Sequence, residues 1–293
     1  MDAETRGGVG VRGTEGSPSA GARGRGGAGA AGARLADRAR GFLVLGYAGL
    51  SMAFFFLVSL PVMLLTGSGH LPMWLAKHAW APSSLWLAGA RIEVRRAPRL
   101  PDGPLVFASN HESALDIWAL VAKLPRIVRF VAKRELFRIP VFGWYLALGG
   151  HVPVDRSHRV QAVESLRRAG ALVRGGTSII VFPEGTRSRD GIVHPFKKGP
   201  FVVAMEAGVP VVPVAISGAG RVTPKARIAV RPGTIRMAVG DPVDPRAFAD
   251  KVALLAEVRR RIIALHREIG GLGGDPDRAV AAAGAEGTAA VER

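Results

Sequence analysis

The run Pro104-Leu105-Val106-Phe107-Ala108-Ser109-Asn110-His111-Glu112-Ser113-Ala114-Leu115-Asp116 passes without a break from an apolar stretch into a polar turn. A short apolar run closed by such residues reads as a buried strand. The His and the Asp that follow are a possible base and its orienter, and their spacing restricts how they can meet. Five helical steps of about 100° place two side chains roughly 140° apart, so they would not share a face of one straight helix. His111 therefore belongs in the turn, with Asp116 in the first turn of a helix that Ser113 would cap. The same letters also read as an ordinary capping box, Ser113-x-x-Asp116, with a carboxylate near the positive helix end.

Outward from this run, strands alternate with helices. Strand signals fall at Ile92–Arg95, Leu105–Ser109, Val128–Ala132, His151–Val154, Ser178–Phe182, Val211–Ile216 and Ile235–Val239. Helical stretches lie between several of them, at Leu115–Lys123, Val141–Leu148, Val160–Arg174 and Gly199–Ala207, and Pro245–Ile269 reads as a closing amphipathic helix. Strands separated by helices of this length predict an α/β domain over residues 91–270, a mostly parallel central sheet flanked by helices. Right-handed crossovers would bring the strand ends and their loops to a common edge.

One more strand ends in a charged turn: Ser178-Ile179-Ile180-Val181 runs into Phe182-Pro183-Glu184-Gly185-Thr186-Arg187-Ser188. Gly185 lets the backbone turn tightly and approach a ligand. Arg187 offers a planar fork suited to phosphate, with Thr186 and Ser188 as further donors. A surface Glu–Arg pair on a plain turn is the competing reading, and such pairs contribute little.

The ends of the chain read differently. Residues 1–33 are rich in Gly, Ala and Arg and nearly free of large apolar side chains, which predicts a disordered basic tail. Residues 271–293 read as a second loose tail. Phe42 to Leu65 carries no charged residue; as a helix it would be roughly 36 Å long, enough for a hydrocarbon core of about 30 Å. Arg34, Arg38 and Arg40 precede it and favour a cytoplasmic N-terminus. A single pass would leave the rest of the chain on the outer side. Leu71 to Ala90, with Trp74, Trp80 and Trp86, supplies a second leg suited to the membrane interface. Residues 34–90 are therefore expected to form a two-helix hairpin that dips into one leaflet or returns across the bilayer, leaving the body on the cytoplasmic face.

Composition limits the partners. The formal charge is +17, and 48% of the 293 residues are hydrophobic. That charge suits an anionic membrane surface or a phosphorylated substrate. Nucleic acid is disfavoured, because no stripe interleaves basic with aromatic residues. The absence of Cys rules out disulfides and thiolate metal sites. His111-Glu112 starts like a zinc motif, but the second His at the required spacing is missing, so no metal is expected. His151, His158 and His194 read as strand-end or loop residues without a role.

Taken together, Asn110-His111-(four residues)-Asp116 and Phe182-Pro183-Glu184-Gly185-Thr186-Arg187 resemble the glycerolipid acyltransferase family, typified by 1-acyl-glycerol-3-phosphate acyltransferases. Lys133-Arg134-Glu135-Leu136 with Pro140, Gly143, Gly150 and Asp155-Arg156 is similar to another block of that family, and so is Val209-Pro210-Val211-Val212-Pro213-Val214. The resemblance covers about Ile92 to Asp241, and the N-terminal hairpin is similar to one that members carry.

The resemblance implies ester formation, in which a lysophospholipid hydroxyl attacks an acyl thioester to give phosphatidic acid. A hydroxyl is a poor nucleophile at neutral pH, so a base must take its proton. His111 would be that base and Asp116 its orienter, as in a serine-protease triad with the acceptor hydroxyl in place of the serine. No Gly-x-Ser-x-Gly elbow occurs, which favours direct transfer. The resemblance further implies that Glu184, Gly185 and Arg187 hold the acceptor, Arg187 at its phosphate, with Lys133 and Arg156 adding to the positive pocket. No resident cofactor is expected, only acyl-CoA or acyl-acyl carrier protein as co-substrate. Two alternatives remain at this stage: another acceptor (glycerol 3-phosphate, a different lysophospholipid or a glycolipid), or a non-catalytic lipid-binding scaffold on the same fold.

Overall fold

The computed structural model describes residues 25–155, 159–224 and 228–275. The chain falls into two compact units, Met1–Ala36 and Asp37–Arg293. Most of the expected N-terminal tail, and the C-terminal one beyond Asp275, lie outside the described residues.

Seven strands form one sheet: β1 Ala90–Arg96, β2 Val106–Ser109, β3 Val128–Lys133, β4 Val152–Val154, β5 Ser178–Val181, β6 Val211–Ser217 and β7 Gly233–Val239. Their order is β1-β7-β6-β2-β5-β3-β4. All neighbours are parallel except β6 and β7, so β1 and β7 run against the other five. Every residue of β2, β5 and β6 is buried, as expected for continuous apolar strands in a sheet covered on both faces. The sheet is thus mostly parallel, as the strand–helix alternation predicts.

Helices α1 to α9 are Arg25–Thr66, His70–Leu75, Ala81–Leu87, Leu115–Lys123, Phe142–Leu148, Arg159–Arg174, Gly199–Ala207, Ala219–Val222 and Lys251–Glu268. Alternate strand residues point to opposite faces and build two cores. Leu105, Phe107, Ile180 and Val214 face a cluster with Trp80, Leu85, Leu120 and Tyr145. Val106, Ala108, Ile179 and Val211 face Phe201 of α7 and Leu254, Val258 and Ile262 of α9.

The expected hairpin is formed by α1 and a return leg in which α2 and α3 are joined by a π-helical turn, Ala76–Trp80. Val44, Ala48, Phe56, Ser59 and Met63 make the buried stripe of α1, while Phe42, Leu50, Phe54, Leu57, Leu64 and Leu65 are exposed. The indole of Trp80 donates to the Ala48 carbonyl at 2.8 Å and packs edge-on against Trp118. The three return-leg tryptophans therefore differ: Trp74 and Trp86 are exposed, Trp80 is core. At the hairpin's tip Gly69 lies against the backbone of Leu148 and Gly149, and Phe56 and Met73 meet Tyr145. The hairpin from Asp37 onward thus lies along the α/β body and shares its core.

Helix α1 is described from Arg25 onward. One boundary differs from the expected one. The closing helix is split: Asp244 opens a short 3₁₀ turn, Pro245–Ala247, and Asp250 opens α9 by accepting from Val252 and Ala253 at 2.7 and 2.9 Å.

Candidate active site

Because β2, β5, β3 and β4 are parallel neighbours, their C-terminal ends share one edge, and the loops after β2 and β5 lie side by side. Asn110 is the hinge of the first loop. Its side-chain amide donates to the Ile216 carbonyl and accepts from the Ile216 N–H, both at 2.8 Å. A side chain thus replaces the next rung towards β6, and the backbone is free to leave the sheet at His111.

His111 and Asp116 meet as the spacing requires. The imidazole Nδ1 lies 2.7 Å from Asp116 Oδ2, with Asp116 in the first turn of α4. The same oxygen accepts the backbone N–H groups of Glu112 and Ser113 at 2.6 and 2.8 Å. One carboxylate oxygen of Asp116 thus bonds both the imidazole and the two amides at the helix start. The N-cap position falls on Ala114, and the Ser113 hydroxyl instead donates to the Thr223 carbonyl at 3.0 Å. Asp116 is fully buried; burial pushes its carboxyl above the usual range, and the hydrogen bond and charge of His111 pull the other way. The His111 ring stacks on Phe182, centroids 3.9 Å apart. With Nδ1 donating to the carboxylate, Nε2 keeps its lone pair.

His111 lines a cavity of about 740 Å³, and Lys133, Gly185, Thr186 and Arg187 stand on its wall. Most of the rest of that wall is apolar, drawn largely from α1, the return leg, α4, β3 and α5, among them Leu45, Met52, Trp80, Ile117 and Phe142. Lys133 Nζ is 3.1 Å from Glu135 Oε1 at the mouth. Gly185 has φ +78°, and a Cβ there would come within 2.8 Å of Lys197 Cε. Arg156, and His158 after it, lie outside the described residues.

Glu184 departs from the expected arrangement. Although its neighbours line the cavity, its own carboxylate does not. One oxygen accepts the His111 N–H at 2.9 Å and the other accepts the His194 N–H at 3.1 Å. It is 6% exposed, and burial raises its pKa to about 8 against those two amide bonds. Glu184 staples the His111 turn to the loop following Arg187, and the Ser188 N–H adds a bond to the His111 carbonyl at 2.7 Å.

His151, a strand-end residue without a role in the sequence alone, sits on the same cavity wall. Its Nδ1 accepts the Phe130 N–H at 3.0 Å, and burial lowers its pKa to about 3, so it stays neutral. Only its place just before β4 hinted at this.

An α/β sheet that delivers a carboxylate-paired imidazole to a largely apolar cavity with cations on its wall suits acyl transfer. The sequence profile described as "Acyltransferase" matches residues 91–217, which hold every candidate residue. The chain is 34% identical over 244 residues to the chloroplastic 1-acyl-sn-glycerol-3-phosphate acyltransferase BAT2 of Brassica napus, covering 79% of this chain and 67% of that one. Against the 1-acyl-sn-glycerol-3-phosphate acyltransferase of Pseudomonas aeruginosa it is 36% identical, over 58% of this chain and 70% of the relative. The chain spans 60% of the length of the LPAT1 relative from Arabidopsis thaliana. The crystal structure of the 1-acyl-sn-glycerophosphate acyltransferase PlsC from Thermotoga maritima superposes with a TM-score of 0.72 at 27% identity, covering 80% of this chain and 96% of that one. The chain belongs to this family of O-acyltransferases, as its motifs imply.

Proposed function

We propose that the chain transfers a fatty acyl group from a thioester, carried by CoA or acyl carrier protein, to the free hydroxyl of 1-acyl-glycerol-3-phosphate, giving phosphatidic acid. The observation that carries this reading is the His111–Asp116 pair at 2.7 Å, on the wall of a largely apolar cavity that also bears Arg187 and Lys133. His111 Nε2 takes the proton of the attacking hydroxyl as the new C–O bond forms. Asp116 holds the ring in the Nδ1–H tautomer and stabilises the imidazolium. Collapse of the tetrahedral intermediate breaks the C–S bond, and the proton passes to the departing thiolate. Arg187 and Lys133, with Arg156 beyond the described residues, receive the acceptor phosphate. Gly185 and Thr186 bring backbone and hydroxyl donors close to it. Two cations near one phosphate act strongly beside a low-dielectric wall. Glu184 serves this site by holding the His111 turn.

The same reading places the body on the cytoplasmic face of the membrane. The exposed apolar side of α1, with Trp74 and Trp86, supports burial in lipid. Because the hairpin lies along the α/β body, the arrangement favours a dip into one leaflet, with the apolar cavity reached from lipid.

The test is turnover by purified protein in mixed micelles, with labelled acyl-CoA and a panel of lysolipids, and products identified by mass spectrometry. Phosphatidic acid is the expected product. His111→Ala is expected to lower turnover at least about a hundredfold, and Arg187→Ala to raise KM chiefly for phosphorylated acceptors. Near-normal turnover of His111→Ala, or a preference for acceptors lacking phosphate, overturns the reading.

A further inference from the structure

A second carboxylate–imidazole pair lies behind the first. Glu112 follows His111 in the same turn and is buried with its side chain directed away from the cavity that His111 lines. Its Oε2 accepts the Gly218 and Gly220 N–H groups at 3.0 and 3.2 Å, just after β6. Its Oε1 lies 3.2 Å from Nε2 of His266, a fully buried residue near the end of α9. The other ring nitrogen of His266 accepts the Gly273 N–H at 3.0 Å, so the proton of a neutral ring sits on Nε2 and is donated to Glu112. The ring is held closely, because a Cβ on Gly271 would fall 2.3 Å from Nε2. Glu112 is thus fixed at both ends. Its carboxylate takes three donors from β6–α8 and α9, and its own backbone N–H donates to Asp116 Oδ2.

We infer that His266 and Glu112 are positioning residues for acyl transfer: His266 of α9, 154 residues from Glu112 in sequence, holds the His111–Asp116 pair in register through the residue between them. The path from His266 to His111 Nδ1 runs through the Glu112 side chain and three hydrogen bonds of 3.2 Å or less. Removing the donor from α9 leaves the Glu112 carboxylate buried with one oxygen unpaired. The turn then relaxes to find another partner, and the Glu112 amide moves with it. A misplacement of the base of a fraction of an ångström acts on the chemical step and leaves acceptor binding alone. The inference rests on His111 acting as the base.

The experiment compares His266→Leu, His266→Gln, Glu112→Gln, Asp250→Ala and His111→Ala in the same micellar assay, each with a thermal unfolding curve. Asp250→Ala removes the α9 cap without touching the pair and controls for loss of helix stability. His266→Leu is expected to lower kcat about tenfold or more at unchanged acceptor KM. His266→Gln, which keeps a donor, should recover part of that loss, and Asp250→Ala should lower the unfolding temperature while keeping kcat. Glu112→Gln keeps the shape and gives a kcat loss of the same order, and it decides the matter if His266→Leu does not fold. Wild-type kcat in folded His266→Leu or in Glu112→Gln, or an equal kcat loss in Asp250→Ala, overturns the inference while an inactive His111→Ala leaves the base assignment standing. An active His111→Ala overturns both.

Discussion

At the scale of single residues, Glu184 is the instructive case, because its environment and its hydrogen bonds pull in opposite directions. Two backbone amides favour the carboxylate, but burial outweighs them and raises the pKa from an ordinary 4.5 to about 8. A carboxyl that holds its proton more tightly when folded contributes most below its unfolded pKa, progressively less as pH rises, and nothing more to lose above its folded pKa. Stability of the wild type should therefore fall between about pH 5 and pH 8, by up to about 1.4 kcal/mol per pH unit from this group alone. Glu184→Gln cannot titrate, so denaturant midpoints measured across that range should show a shallower slope than the wild type; parallel slopes would contradict the assignment. The residue also shows where linear reading stops. His111 and Asp116 were legible because five residues of separation in a turn-to-helix segment leave few ways to meet. Which way the Glu184 side chain turns depends on the loop through His194, a partner ten residues on whose path no local pattern sets. His266 is less legible still: its one sequence trace is a polar residue on the buried stripe of α9, four positions after Ile262.

Elements were read where their signal is local. The seven strands fall where apolar runs end in turn residues, to within a few positions. One start differs for an identifiable reason. The closing helix carries two capping aspartates, Asp244 and Asp250, and only the second opens the long helix. That helix is also the fastening for the loop behind the site. Arg259, 1% exposed, donates to the carbonyls of Val193, His194 and Asp275 at 2.9, 3.1 and 2.5 Å. No pattern marks an arginine as a buried clasp, since it interrupts an otherwise apolar stripe. Arg259→Met keeps much of the volume and removes every donor, leaving buried acceptors that cost about 1–3 kcal/mol each. The expected result is a loss of at least about 2 kcal/mol in chemical denaturation, with earlier protease cleavage between residues 188 and 198 than elsewhere. A change below about 0.5 kcal/mol would show that this loop is held by other contacts.

For the molecule as a whole, the proposed function requires the apolar cavity and the cations on its wall to be reached from lipid. Helix α1 exposes Phe42, Leu50, Phe54, Leu57, Leu64 and Leu65, and the return leg adds Trp86 at 80% exposed and Trp74 at 45%. Large apolar side chains exposed in this number are suited to a partner or a membrane. Its stripe from Val44 to Met63 is buried against the body that carries the site, so the exposed apolar surface and the cavity belong to one unit. The formal charge of +17 adds attraction to an anionic bilayer surface. A hairpin packed along its own domain can enter one leaflet without crossing, and on the proposed function both of its ends then stay on the cytoplasmic side. Two measurements separate this from the alternatives. After a carbonate wash the protein should remain with the membrane pellet, since apolar burial survives high pH and loss of salt-dependent contacts. Protease added to inside-out vesicles should digest the α/β body, whereas protease added to sealed right-side-out cells should leave the chain whole. Release by carbonate would reduce the attachment to charge alone, and cleavage from the outside would require α1 to cross the bilayer and carry the catalytic edge with it.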